Sequence, residues 1–178
     1  EFMNRHPDHF VLYGPVSISA DYTQLSRNLM VRFLRTNRWS AEIASRTKAK
    51  NTFKLKQLSP ALANWVKQEG RTLDDISALI SGVEPDGKGV PVLVKHYLKL
   101  HGSFVGFAVD PDFNNALDGL IVVDIRNMED RQLLQYFGES GLTRIIAARE
   151  KIDEKLKPAP KTIPGRGVRV SFLGTRNP

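Results

Sequence analysis

The stretch from Gly89 to Ile125, GVPVLVKHYLKLHGSFVGFAVDPDFNNALDGLIVVDI, is the one whose reading decides the fold. Its first third sets Val90, Leu93, Val94, Tyr97 and Leu98 at the spacing that gathers apolar side chains on one helical face, so that face must be buried. Gly102 stands where a left-handed residue would end the helix. Phe104 to Val109 then reads as a strand, and Asp110, Pro111, Asp112, Asn114 and Asn115 supply the side chains and fixed φ of a reversal. Leu117 to Ile125 is the returning strand. Its consecutive Leu120, Ile121, Val122 and Val123 are of the kind expected when both faces of a sheet are covered.

Outward from this hairpin, Phe10 to Ser19 reads as a third strand, with Gly14 and Pro15 marking a bulge or the point where it parts from a neighbour, because proline cannot donate to a ladder. Asp21 and Gln24 resemble a capping box for a helix carrying Leu25, Leu29 and Phe33 to about Thr36. Periodicity weakens from Asn37 to Lys56, where a short helix after Ser40 precedes an exposed basic loop, RTKAKNTFKLK. Ser59 with Pro60, and Thr72 with Asp75, open two further short helices, and Glu84 to Gly89 breaks the second. Arg131 to Phe137 and Leu142 to Leu156 read as helices, the latter with Leu142, Ile145, Ile146, Arg149 and Ile152 on one side, until Pro158, Pro160 and Pro164 stop them. The pattern is an α/β domain over residues 3–157, with a mixed sheet of three to four strands packed with helices. Residues 158–178 form a basic Pro/Gly-containing tail whose alternating Val168, Val170 and Phe172 suit an edge strand. Glu1 and Phe2 ahead of Met3 have the look of a translated cloning site.

At 178 residues and 41% hydrophobic content the chain can bury a sizeable core. No apolar run approaches the roughly 20 residues that cross a bilayer, and the N-terminus lacks signal-peptide sections. With no cysteine there are no disulfides and no thiol nucleophile, which fits a reducing cytoplasm. The formal charge of +7 is unevenly spread. Residues 1–58 hold 10 Lys/Arg against 4 Asp/Glu, residues 59–148 hold 8 against 12, and residues 149–178 hold 8 against 3. Two basic ends flank an acidic middle, and their partners are expected to be anionic. No metal site is expected, because the four histidines lack carboxylates at ligand spacing.

The segments YGPVSIS, LSRNLMVRFL, VPVLVKHYLKLHG and VDPDFNNALDGLIVVD resemble the C-terminal half of the hemolysin-like acyltransferases, relatives of the ornithine-lipid and glycine-lipid N-acyltransferases in the GNAT-like superfamily. The likeness covers roughly residues 9–138. It implies a partial GNAT-like fold and transfer of a fatty acyl group, from acyl carrier protein or acyl-CoA as donor substrate, to the amine of an amino acid in membrane aminolipid synthesis, with no tightly bound cofactor. The glycine turn that holds the donor's pyrophosphate in that superfamily precedes the strand resembling FVLYGPVSIS. TIPGRG, the nearest approach to its pattern, has a proline-rich lead in place of a strand, so the chain is expected to be a piece of a larger enzyme, inactive alone.

N-acylation needs a base to take the amine proton, for which Asp110, Asp112 and Asp118 are the candidates. Asp110 and Asp112 serve equally as turn caps, whereas Asp118 interrupts an apolar strand, where an ionised carboxylate needs a partner. Ser17, Ser19, Lys95 and Tyr97 are candidate contacts to donor or acceptor; strand alternation explains the serines equally well. His96, on the polar side of its helix, suits a base or a solvated position. Arg46, Lys48, Lys50, Lys54 and Lys56 form either a solvated loop or a docking site for acidic acyl carrier protein or anionic headgroups, with Phe53 and Leu55 adding apolar contact. The competing reading is a non-catalytic basic module that docks an acidic protein or a membrane surface. Nucleic acid is not expected, since no binding motif or aromatic platform accompanies the charges. A homodimer through an uncovered strand edge, and a cytoplasmic location peripheral to the inner membrane, complete the expectations.

Overall fold

A computed structural model describes residues 9–156, with side chains described as far as Lys151. The edge-strand tail expected around Val168 lies outside the described residues. Strand β1 (Val11–Ile18) is followed by helices α1 (Gln24–Asn37), α2 (Ala41–Ala44), α3 (Pro60–Lys67), α4 (Leu73–Val83) and α5 (Val92–Lys99). The hairpin β2 (Ser103–Asp110) and β3 (Ala116–Asp124), a 3₁₀ turn (Ile125–Asn127) and helix α6 (Asp130–Leu156) complete the α/β chain. The strand order is β1-β3-β2 and both pairings are antiparallel, so the apolar β3 lies in the centre.

One sheet face makes the main core. Val16, Ile18, Phe104, Phe107, Leu117 and Ile121 meet Leu29, Met30, Phe33 and Leu34 of α1, Ile76 and Ile80 of α4, and Val94 and Leu98 of α5. The rings of Phe104 and Phe107 stack at 5.2 Å, and Trp39 continues the stack onto Phe107 at 6.1 Å. Gly119 makes this possible, because a Cβ there would stand 2.4 Å from Phe104 Cε1. The opposite face holds no core cluster among the described residues, and Tyr13 on it is 79% exposed. The unbroken apolar run of β3 is thus buried on one face, not on two.

Several local expectations are corrected. Gly14 and Pro15 mark no bulge: β1 stays in register with β3 throughout, with Pro15 opposite Leu120, and the irregularity falls in β2 between Phe104 and Gly106. Proline is tolerated because β1 is an edge strand, where one side of the backbone needs no ladder partner. The cap of α1 is Thr23, whose side chain accepts from the Ser26 amide, and Asp21 instead accepts a hydrogen bond from Ser19 Oγ. His101, not Gly102, takes the left-handed conformation after α5, with φ of 59°. Gly102 is required by close approach, since a Cβ there would lie 2.8 Å from both Tyr97 O and Ile121 Cδ1. Leu93 is half exposed, leaving Val90, Val94 and Leu98 as the buried stripe of that segment.

The segment 51–53 is not a free loop. Phe53 is buried and its amide donates to Phe107 O at 3.1 Å, while the Val109 amide donates to Asn51 O at 2.8 Å. With Phe104 bonded to Arg38 and Ser40, these contacts cover the outer edge of β2. The outer edge of β1 has no strand or bridge partner among the described residues.

Candidate functional site

A second, smaller core of Val123, Ile125, Met128, Leu133 and Ile145 lies where β1 and β3 leave the main core and α6 packs across them. Beside it is an apolar cavity of about 340 Å³, within the size range of small-molecule sites. Its walls come from Leu12, Tyr13 and Gly14 of β1, Ile121 and Val123 of β3, and Tyr97 and Leu100 of α5. Met128, Tyr136 and Phe137 close it from the α6 side. Two glycines explain it. Gly14 stands opposite Ile121 on the inner face of β1, and a Cβ there would meet nothing within 4 Å. Gly138, with φ of 69° and ψ of −176°, breaks α6 after Phe137. This region of φ/ψ is accessible essentially to glycine alone.

The frame around the cavity is polar and specific. Tyr136 Oη and His96 Nε2 are 3.0 Å apart at the surface, joining α6 to α5, and Gln132 Nε2 donates to Lys99 O at 2.9 Å. Arg149 donates to Asp130 Oδ1 at 2.8 Å and to the carbonyls of Arg126 and Met128, which fixes the turn entering α6. Arg126 in turn pairs with Asp124 and lies over the Phe10 ring at 5.5 Å.

Of the residues chosen from sequence, Tyr97 lines the cavity and Lys95 is half-buried on the same helix. Ser17 Oγ donates to Asp118 Oδ1 at 2.6 Å across the β1–β3 pair. This carboxylate has the partner its position demanded, on the opposite sheet face from the cavity. Asp110 is in a turn-capping role, its Oδ1 accepting from the amides of Asp112 and Phe113. The register sets Asp110 opposite Ala116, diagonal to Asp118, so the two share one end of that face, while Asp112 stands apart in the exposed turn. Ser19 is tied to Asp21 and does not join Ser17.

Arg46, Lys48, Lys50, Lys54 and Lys56 are exposed beside the β2 edge, and none forms an ion pair with another described residue. Buried Asn28 anchors this segment by accepting from the Lys56 amide at 2.9 Å, and Arg32 donates to Lys56 O. Phe53 is spent on the core and supplies no docking contact; Leu55 packs against the core as well. Sequence reading missed Gly14 as a cavity former and Tyr136 as the partner of His96, because both depend on contacts distant in sequence. Among the described residues no group of His, Asp or Glu could hold a metal ion, and no helix is long and apolar enough to cross a membrane. A scan against protein-family models, a search of curated proteins and a search of solved structures each returned no match.

Proposed function

We propose that this chain is an N-acyltransferase or the C-terminal part of one, moving a fatty acyl group from a carrier thioester to the amine of an amino acid. The observation that carries the reading is the apolar cavity of about 340 Å³ opening past Gly14, which suits an acyl chain better than a polar metabolite. In the reaction the amine nitrogen attacks the thioester carbonyl carbon, the C–N bond forms, the C–S bond breaks, and the sulfur leaves as thiolate, which takes up the amine proton from the base to become thiol. The amine proton goes to a base, for which Asp118 is the candidate. Ser17 of β1, with its β3 partner Asp118, lies three residues from Gly14, about 10 Å at the rise of a strand and on the opposite sheet face, so in this reading the acyl carbons nearest the thioester pass round the open β1 edge. The unpaired cations at Arg46, Lys48, Lys50, Lys54 and Lys56 suit the acidic surface of an acyl carrier protein, and the work would take place in the cytoplasm at the periphery of the inner membrane.

Incubating the full-length protein with acyl carrier protein bearing a labelled acyl group and a panel of amino acids tests this. The expected product is a labelled acyl-amino acid, formed more slowly when Lys48, Lys50, Lys54 and Lys56 are changed to Glu, with the defect most marked at low salt. Absence of product from the unaltered protein contradicts the reading. Carrier binding without transfer would favour the second one, a non-catalytic module that uses the same five exposed cations to hold an acidic partner or an anionic membrane surface.

A further inference from the structure

A second concavity, of about 370 Å³, lies between the end of α1, the start of α4 and the end of α5, and its character is opposite to that of the apolar cavity. Arg38, Arg71 and Lys99, one from each of these places, line it together with Thr72 over an apolar floor that includes Phe33 and Leu98. The cations have little to hold them apart from one another. Arg38 Nη1 donates to the Asn37 carbonyl at 3.0 Å, and Arg71 donates to the Gln68 side chain and lies 4.3 Å from the Trp65 ring centre. Arg71 Nε is buried without a hydrogen-bond partner among the described residues. No carboxylate among the described residues forms an ion pair with any of the three. Asp75 feels the Arg71 charge but forms no ion pair with it, its carboxylate being turned to the Thr72 amide and hydroxyl at 2.8 and 2.9 Å. Three like charges around one hollow repel each other and raise the local concentration of anions.

We propose that this hollow binds a phosphate monoester. Two guanidinium forks match the geometry of phosphate oxygens and an ammonium adds a third charge, a set that favours a dianion over a carboxylate. The Thr72 hydroxyl is taken by Asp75 in the capping box, so at this end of α4 the Leu73 amide is the donor of the right sign. The apolar floor suits the carbon skeleton of the ester. The site is independent of the acyl reading, because Lys99 reaches it from the side of α5 opposite to Tyr97 and Leu100, which line the other cavity.

The test is a titration of the ¹⁵N-labelled protein, at constant ionic strength, with inorganic phosphate, with glycerol 3-phosphate, and with chloride as control. Saturable amide shifts at Arg38, Thr72 and Leu73 with glycerol 3-phosphate are expected. Affinity falls about tenfold or more in R38Q/R71Q and again in K99Q, whereas K48Q/K50Q, on the other basic segment, leaves it unchanged. Melting curves confirm that the variants fold, and R71K, which keeps the charge but loses the fork, falls between. Shifts that do not saturate, that spread evenly over both basic regions, or that persist unchanged in both R38Q/R71Q and K99Q overturn the proposal. Saturation by inorganic phosphate with none by glycerol 3-phosphate overturns the assignment of a monoester.

Discussion

Replacing Glu84 with Ala is expected to lower the unfolding free energy by about 3 kcal/mol, because it removes a buried charged acceptor and leaves the Thr23 amide without its hydrogen bond, while Thr23 Oγ1 keeps only its contact to Ser26 Oγ. The Glu84 side chain is 1% exposed and ends α4, where Oε1 accepts from the Thr23 amide at 2.9 Å and from Thr23 Oγ1 at 2.8 Å. It therefore ties the end of α4 to the start of α1, two of the helices that cover the sheet. Its other oxygen is buried without a hydrogen-bond partner among the described residues, and Lys88 Nζ at 3.9 Å is its counter-charge. Glu84→Gln keeps one acceptor and should lose less. Burial pushes the Glu84 carboxyl up, but hydrogen bonds from Ser26 and Thr23, with the Lys88 charge, outweigh it and hold the group below its ordinary value. A carboxyl depressed in the folded state contributes stability above its unfolded value, near 4.3, and loses it as pH falls through the folded one. Denaturant melts of the parent should thus weaken below about pH 4, and those of Glu84→Ala should weaken less over that range. Equal stability of the two proteins at pH 7 would refute the latch.

Changing Asp118 to Asn separates charge from shape. Asn keeps an oxygen to accept from Ser17 Oγ, so the melting temperature should barely move, while acyl transfer by the full-length protein should fall about 100-fold if the carboxylate takes the amine proton. The loss should appear in kcat more than in KM. Unaltered transfer would leave Asp118 as a cross-strand contact and move the search for the base to the cavity rim, where His96 and Tyr136 meet.

What could be read from the sequence was local. Ser59 before Pro60 and Thr72 three residues before Asp75 are caps in the structure, because each depends on neighbours within one helical turn. The β2–β3 hairpin was legible for the same reason, down to the turn where Asn114 and Asn115 take positive φ. Errors arose where a residue answers to something distant. Gly14 looked like a bulge and is an open space facing Ile121; Gly102 looked like a terminator and is a close approach to Tyr97 and Ile121. The seat of Phe53 along β2, the buried Glu84 latch and the cavity itself come from pairings dozens of residues apart, which no window of sequence displays. For the site, Asp118 and Ser17 were both singled out in the sequence but not as partners, since pairing needs the β1–β3 register.

The claim that the cavity holds an acyl chain is tested most directly by Gly14→Leu. A side chain there projects into space where a Cβ meets nothing within 4 Å, and the glycine does not occupy the left-handed region, so the variant can fold while plugging the cavity. The measurement is equilibrium binding of a ¹³C-labelled fatty acid, with contacts read from the chain to the methyl groups of Leu12, Ile121 and Val123. Contacts to all three in the parent, and affinity reduced about tenfold or more in Gly14→Leu at unchanged melting temperature, are the predicted result. Binding of equal strength in the plugged protein, or contacts confined to other surfaces, would contradict it.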